Sequence, residues 1–243
     1  MAAHDEAQRI AATLAALARA FPGAPIWVAD DGSADATAEI ARRHGARVIA
    51  GARVVTGARA GGHSRRVGKG AAVTRAAREA LRDAHAPADE PGRTARHPSS
   101  KSVFVLCDGD LGDSAGALVA LADTVARGDA DIAVGAFATR VGGGVGLALG
   151  FARWAIRRRC GLETRAPISG QRALSEQALR DALPFADGFG MEIGMTVDAV
   201  RAGHRLVEID LDLAHRATGR TPAGFAHRAR QLLDFVRVYA SRA

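Results

Sequence analysis

Apolar residues recur at helical spacing at Ile10, Leu14 and Leu17 within residues 6–20, and Pro22-Gly23 ends the pattern, which predicts a helix. The apolar run IWVA, residues 26–29, predicts a buried strand that ends in Asp30-Asp31-Gly32-Ser33. Ser33 is the expected N-cap of a helix from about Ala34 to His44, which Gly45 closes. Residues 46–50, ARVIA, are the next strand, so the three elements form a right-handed βαβ unit with its loop at the carboxyl end of the first strand. Residues 51–68 are rich in Gly and Arg and predict an irregular loop, after which Gly68-Lys69-Gly70 opens a helix to about Arg82. Residues 83–101 are polar with three prolines and predict a flexible insertion. SVFVLC, residues 102–107, is the strongest strand pattern in the chain and ends at Asp108-Gly109-Asp110.

A helix near 114–127 and a strand near 131–136 follow. Residues 141–161 are first Gly-rich, then amphipathic and basic. Helices are expected from about Arg172 to Asp181 and from about Phe189 to Ala202. Residues 205–213, RLVEIDLDL, alternate as a half-exposed strand, and a helix from about Pro222 to Tyr239 closes the chain. No internal repeat occurs. The pattern is that of one α/β domain spanning 1–243, in two halves at 1–136 and 137–243.

Composition narrows the classes. With 48% hydrophobic residues the 243-residue chain can bury a sizeable core, and it contains no apolar run long enough for a transmembrane helix. MAAHDEAQR has acids and no apolar centre, so it does not read as a secretory signal. Cys107 and Cys160 lie far apart without a pairing pattern, which excludes a disulfide scaffold or a Cys-type zinc site and fits a cytoplasmic protein. The net charge of +7 fits an anionic partner: a phosphate ligand, an acidic membrane surface or a nucleic acid. Nucleic acid fits least, because aromatics are 5% and no basic-aromatic platform appears.

Five places carry candidate chemistry. Asp30-Asp31-Gly32-Ser33 lies where strand ends meet helix starts, the edge at which open α/β sheets bind ligands; the alternative is a capped turn. Asp108-Gly109-Asp110 sets two carboxylates one residue apart after a buried strand, and hard divalent ions prefer such oxygens; the alternative is a turn with solvated acids. Gly68-Lys69-Gly70 puts a lysine beside a helix N-terminus, which favours anions, although the P-loop spacing is absent. Glu192 stands in the first turn of a helix among Phe189, Met191 and Ile193, where it suits acid–base work or simple compensation of the helix dipole. His215-Arg216 follows a strand directly, where a histidine can ligate a metal or bond a phosphate. Ser169 has no nucleophile-elbow pattern, which argues against a serine hydrolase.

Taken together, these segments resemble family 2 nucleotide-sugar glycosyltransferases of the A-type, Rossmann-like fold. AHDEAQRI resembles the opening nucleotide-binding loop of enzymes such as dolichyl-phosphate mannosyltransferase, and VADDGSADATAEIARRHGARV resembles their second motif. VGKGAAV resembles their K-G loop and LCDGDL their D-x-D motif. SGQRAL and LPFADGFGMEIGMTVDAVRAGHRLVEIDLDLAHR are similar to glucosyl-3-phosphoglycerate synthases.

The resemblance implies a twisted mixed sheet flanked by helices, with donor binding in residues 1–136 and acceptor binding in 137–243. It implies that Ala3, Glu6, Asp31, Lys69 and Asp108 contact the nucleotide sugar. Asp110 and His215 would hold Mg²⁺ or Mn²⁺, Glu192 and Asp110 would serve catalysis, and Ser169, Gly170 and Arg216 would meet the acceptor. The implied reaction moves a hexose, with UDP-glucose as donor, to a phosphorylated small molecule. A polyprenyl phosphate at the membrane face is the alternative acceptor, docked by the basic segment 147–159; peripheral membrane contact and homodimerisation are compatible with either. A nucleotidyltransferase or a non-catalytic sugar-nucleotide binder is the reading of another class.

Two departures stand out. The family pattern has a strand ahead of its first loop, whereas this chain starts at Met1 inside that motif. Either the start lies upstream or a first strand is missing and its neighbours' edges are exposed. The R-V-T acceptor signature of the phosphoglycerate synthases is also absent, since Gly142-Gly143-Gly144 is followed by Val145-Gly146-Leu147.

Overall fold

Two short β-segments and a run of βα units set the carboxyl edge on which the candidate residues stand. The computed structural model describes residues 1–50, 54–55, 64–65, 68–86, 102–137, 147–213 and 222–242. Strand β1 (Ala2–Ala3) pairs in parallel with β2 (Trp27–Asp30), which pairs in parallel with β3 (Arg47–Ala50). The expectation of a missing first strand is therefore corrected: Ala2 and Ala3 pair with Ala29 and Asp30, so a two-residue strand is present. Helix α1 (Ile10–Ala20) precedes β2 and buries Ile10, Leu14 and Leu17, as their spacing requires. Helix α2 (Thr37–Arg43) joins β2 to β3 and completes the expected βαβ unit. Within 51–68, Val54–Val55 (β4) and Ser64–Arg65 (β5) pair as a short antiparallel ladder.

Helix α3 (Lys69–His85) buries Ala72, Val73, Ala76, Ala77 and Leu81. The rest of the 83–101 insertion, from 87 to 101, lies outside the described residues. Strand β6 (Val103–Leu106) leads through a 3-10 turn (Gly112–Leu118) into α4 (Val119–Ala126). Then come β7 (Ile132–Phe137), α5 (Leu147–Cys160), β8 (Arg172–Ser175), α6 (Glu176–Asp181), α7 (Met191–Arg201), β9 (Leu206–Leu211) and α8 (Pro222–Ser241).

The second sheet has the order β6-β8-β7-β9, with β8 antiparallel to both neighbours and β9 parallel to β7. The first sheet, β1-β2-β3, meets it through one parallel bridge, Ala2 to Asp108, where the Ala2 N–H donates to Cys107 O at 2.8 Å. Alternate residues of the strands face two different cores. Ala133 and Ala173 join a cluster with Ile10, Leu14 and Leu118, whereas Ile132, Val134 and Leu174 join one with Val73, Ala77 and Leu179. A third cluster packs α5, α7 and α8 through Ile156, Val197 and Phe235.

Strand β8 corrects the reading of a helix from Arg172. Residues 172–175 are extended between β6 and β7, and the helix begins only at Glu176, where the Ser175 hydroxyl accepts the Ala178 N–H at 3.2 Å. The expected cap at Ser33 is also corrected: α2 starts at Thr37, after Ala36. Helix α5 buries Ala152, Ala155 and Ile156, and leaves Leu147 and Trp154 exposed.

Candidate active site

Strands β1, β2 and β6 deliver their carboxyl ends to one place, and polar loops finish it. Buried Asp30 ends β2, and its carboxylate accepts both the N–H and the hydroxyl of Ser33, at 3.0 and 2.5 Å. That bond turns the chain, which is why Ser33 is not the helix cap. The loop after β1 is clasped to the loop after β2. Ser33 Oγ accepts the Asp5 N–H at 3.0 Å, Thr37 Oγ1 accepts the Glu6 N–H at 2.8 Å, and Asp5 accepts the Ala34 N–H at 2.7 Å.

Ala3 is buried on β1, and its carbonyl accepts the Asp31 N–H at 3.1 Å. The Asp31 carboxylate accepts the Gly68 N–H at 3.0 Å, so this predicted nucleoside contact also ties the β2 loop to the start of α3. Gly68 has φ +92°, a left-handed backbone that suits glycine. Gly70 is required by close approach, because a Cβ there would lie 1.8 Å from Ala186 O.

Lys69, in the first turn of α3, holds the centre. Its ammonium donates to Asp108 Oδ1 and to Glu192 Oε1, each at 2.8 Å. The side chains are 27%, 32% and 6% exposed for Lys69, Asp108 and Glu192, so solvent screens the contact to Asp108 more than that to Glu192. Burial alone would pull the Lys69 pKa down, but the Asp108 and Glu192 carboxylates outweigh it and hold the ammonium well above its ordinary value.

Gln171 Nε2 donates to Asp108 Oδ2 at 3.1 Å. Gly170 lies against the same carboxylate, since a Cβ at that position would be 2.7 Å from Oδ2. Ser169 is buried; its hydroxyl accepts the Gln171 N–H at 3.3 Å and its carbonyl accepts Arg172 Nε–H at 2.9 Å. Thus Ser169 and Gly170, expected at the acceptor, stand in the loop behind Asp108.

Arg172 is fully buried and also donates to Thr196 Oγ1 at 2.9 Å. Burial pulls its pKa down to about 10, partly offset by the nearby charges of Glu192 and Glu208.

The structure thus unites Lys69, Asp108, Glu192 and Gly170, and it links Ala3 to Asp31. His215 and Arg216 lie outside the described residues. Sequence reading missed Gln171 and Arg172, although both stand in the quoted SGQRAL motif, and missed the clasp made by Asp5 and Thr37. The short polar residues clustered between strand and helix are the signal for that clasp.

Among the described residues no group of three or more His, Cys, Asp and Glu side chains is arranged to hold a metal ion. The Asp110 carboxylate, beside Asp108, makes no hydrogen bond or ion pair with them. Magnesium-type ions are commonly held by one or two carboxylates together with substrate phosphates. Asp110 with Asp108 fits a cation that a bound diphosphate helps to hold.

Paired acids and a lysine stand at the carboxyl edge of a mixed, helix-flanked sheet, the edge at which open α/β sheets bind their ligands. The profile of glycosyl transferase family 2 matches residues 1–166, and the chain belongs to that family of glycosyltransferases. No curated protein matches the sequence.

Among solved structures the chain is similar to glucosyl-3-phosphoglycerate synthase from Mycobacterium tuberculosis. The complex of that enzyme with Mn²⁺, uridine diphosphate and phosphoglyceric acid matches with a TM-score of 0.69 and 23% identity, over 99% of this chain and 76% of the other. Its complex with Mn²⁺, uridine-diphosphate-glucose and glycerol 3-phosphate matches with a TM-score of 0.68 and 23% identity, over 99% and 77%. These likenesses establish the fold.

Proposed function

We propose that this glycosyltransferase moves a hexose from a nucleoside diphosphate sugar, UDP-glucose, to a small phosphorylated acceptor. The observation that carries the reading is Lys69, held between Asp108 and Glu192 where β1, β2 and β6 end. When the sugar leaves, negative charge develops on the diphosphate, and cations and helix N-termini fixed beforehand stabilise it. Lys69, at the N-terminus of α3, supplies both a charge and oriented N–H groups.

Asp110 and Asp108 would hold Mg²⁺ or Mn²⁺, with His215 as a further ligand; the ion would neutralise the diphosphate as a Lewis acid. Asp31 and Glu6 line the loop for the nucleoside, and Ala3 positions Asp31 through its carbonyl. Glu192, nearly buried on α7, would face the reacting end of the donor, Gly170 would shape the donor side against the Asp108 carboxylate, and Arg216 would serve the acceptor side. Phosphoglyceric acid and glycerol 3-phosphate bound to the similar enzyme, and the +7 charge of this chain, support a phosphorylated acceptor.

The test is a binding and turnover screen of nucleotide sugars with Mn²⁺ and with Mg²⁺, followed by phosphorylated three-carbon acceptors. Metal-dependent binding of UDP-glucose and acceptor-stimulated release of UDP are expected. No metal-dependent binding of any nucleotide sugar would end the reading.

A second acceptor, polyprenyl phosphate at a membrane face, is favoured by Leu147 and Trp154, 70% and 49% exposed on α5. No helix of the described residues is long and apolar enough to cross a membrane. The arginine cluster expected there is partly engaged, since Arg159 stacks 3.8 Å from the Tyr239 ring centre and Arg157 lies 3.5 Å from Glu163. Salt-sensitive sedimentation with anionic liposomes, lost on replacing Arg157, Arg158 and Arg159 with Gln, is the observation this reading requires.

A further inference from the structure

Thr13 of α1 is fully buried, and its hydroxyl reaches out of its own helix. A threonine inside a helix ordinarily turns its hydroxyl back to the carbonyl four residues earlier. Here that carbonyl, Arg9 O, lies 3.3 Å away, whereas Gly109 O, 96 positions along the chain, lies 2.9 Å away. The same hydroxyl oxygen accepts the Gly112 N–H at 2.8 Å. A hydroxyl has one proton to give and lone pairs to accept with, and this one uses both on a single turn. Gly109 and Gly112 bracket Asp110, so one buried oxygen pins the backbone on both sides of that acid.

The two acids of the turn are held in different ways. Asp108 has side chains on its carboxylate, from Lys69 at 2.8 Å and from Gln171 at 3.1 Å. No side chain among the described residues hydrogen-bonds the Asp110 carboxylate, so its place is set by the backbone of the turn. That turn is pressed against the start of the chain, since a Cβ at Gly109 would lie 3.2 Å from Ala2 O and 3.6 Å from Glu6 Cγ. Helix α1 is itself tied to the loop after β1, because Glu6 O accepts the Arg9 and Ile10 N–H groups, each at 2.9 Å. The loop proposed for the nucleoside and the turn proposed for the cation are therefore joined through one helix, and Thr13 makes the second joint.

On the reading that Asp108 and Asp110 hold a divalent cation, we propose that Thr13 is a positioning residue for that cation: its buried hydroxyl fixes the turn that carries Asp110. Without the hydroxyl, the Gly109 carbonyl and the Gly112 N–H lose a buried partner and the turn must shift to recover one. Asp108 stays in place on Lys69 and Gln171, so the two acids no longer share an ion at the right separation. Groups that hold a metal ligand from behind typically change metal affinity by roughly ten- to a hundredfold.

The test is titration calorimetry of UDP binding to the full chain over a range of Mn²⁺ concentrations and in EDTA, for Asp110→Ala, Thr13→Val, Thr13→Ser and Leu17→Ala. Thr13→Val is expected to raise the Mn²⁺ concentration needed for half-maximal binding by about tenfold, and to leave binding in EDTA unchanged. Thr13→Ser keeps the hydroxyl and should behave as the parent chain does. Leu17→Ala removes apolar volume from the same helix; it should lower Tm at least as far as Thr13→Val and leave the Mn²⁺ dependence intact. Should Thr13→Val fail to fold, Thr13→Ala carries the same comparison, because it drops the hydroxyl without setting a methyl against Gly109 O. An unchanged Mn²⁺ dependence in Thr13→Val, where Asp110→Ala loses it, would overturn the proposal alone, as would an equal shift in Leu17→Ala. A Mn²⁺ dependence that survives Asp110→Ala would overturn the cation reading and this proposal with it.

Discussion

Replacing Lys69 with Met removes the cation between Asp108 and Glu192 while keeping a side chain of similar length. Each acid has an oxygen 2.8 Å from the lysine nitrogen, so those oxygens are no more than twice that distance apart. At about 5 Å and an effective dielectric of about 20, two carboxylates repel by about 3 kcal/mol. Partial exposure of Asp108 reduces this to about 2 kcal/mol, a repulsion that acts only while both acids are ionised.

The sign follows from linkage. A carboxyl whose folded pKa is raised carries no penalty below its unfolded pKa and the full penalty above its folded one. In the parent chain the Lys69 pKa is itself raised, so its contribution is present at every pH below the ordinary lysine value and does not titrate between pH 4 and 8. Thermal melts of both proteins at pH 4.0 and 7.5 should therefore show Lys69→Met lower by about 4–8 °C at pH 7.5, with a gap that narrows at pH 4.0. Adding Glu192→Gln should restore most of the loss at pH 7.5. A gap of the same size at both pH values, or no recovery in the double variant, would refute the electrostatic account.

Other outcomes follow from single contacts. Gly170→Ala places a methyl 2.7 Å from Asp108 Oδ2 and should weaken nucleotide-sugar binding about tenfold in titration calorimetry, with Tm nearly unchanged. Gly70→Ala meets the Ala186 carbonyl at 1.8 Å, and because that obstacle is backbone, Tm should fall by about 6 °C or more. Asp110→Ala should abolish the Mn²⁺ dependence of UDP binding with Tm unchanged within about 2 °C, since its carboxylate supports no contact among the described residues.

The βα order and the acid-bearing turns were readable because each apolar run stops where its loop begins. IWVA breaks at Asp30 and SVFVLC at Asp108, and both turns arrive at the sheet's carboxyl edge. What local pattern could not show is which distant residues meet. Lys69 and Glu192 are 123 positions apart, and only the packing of α3 against the segment leading into α7 brings them together. Strand β8 was hidden for a related reason. Leu174 and Ala178 stand four apart, a spacing a helix also gives, but ladders to β6 and β7 on both sides hold Arg172–Ser175 extended. Arg172 misleads further, because a charged residue at the middle of a sheet reads as exposed until Thr196 and the Ser169 carbonyl are seen to accept its hydrogen bonds.

The hydrogen bond from the Gly68 N–H to the Asp31 carboxylate has a bearing on donor discrimination. Asp31 belongs to the loop proposed for the nucleoside, and Gly68 immediately precedes the lysine proposed for the diphosphate. A base that pulls Asp31 out of place therefore also releases the start of α3, at the far end of the same donor. Mismatched nucleosides would then be penalised in the rate of sugar departure as well as in affinity. Discrimination between uridine and purine donors should accordingly be larger in kcat/KM than in the dissociation constants of the free nucleotides.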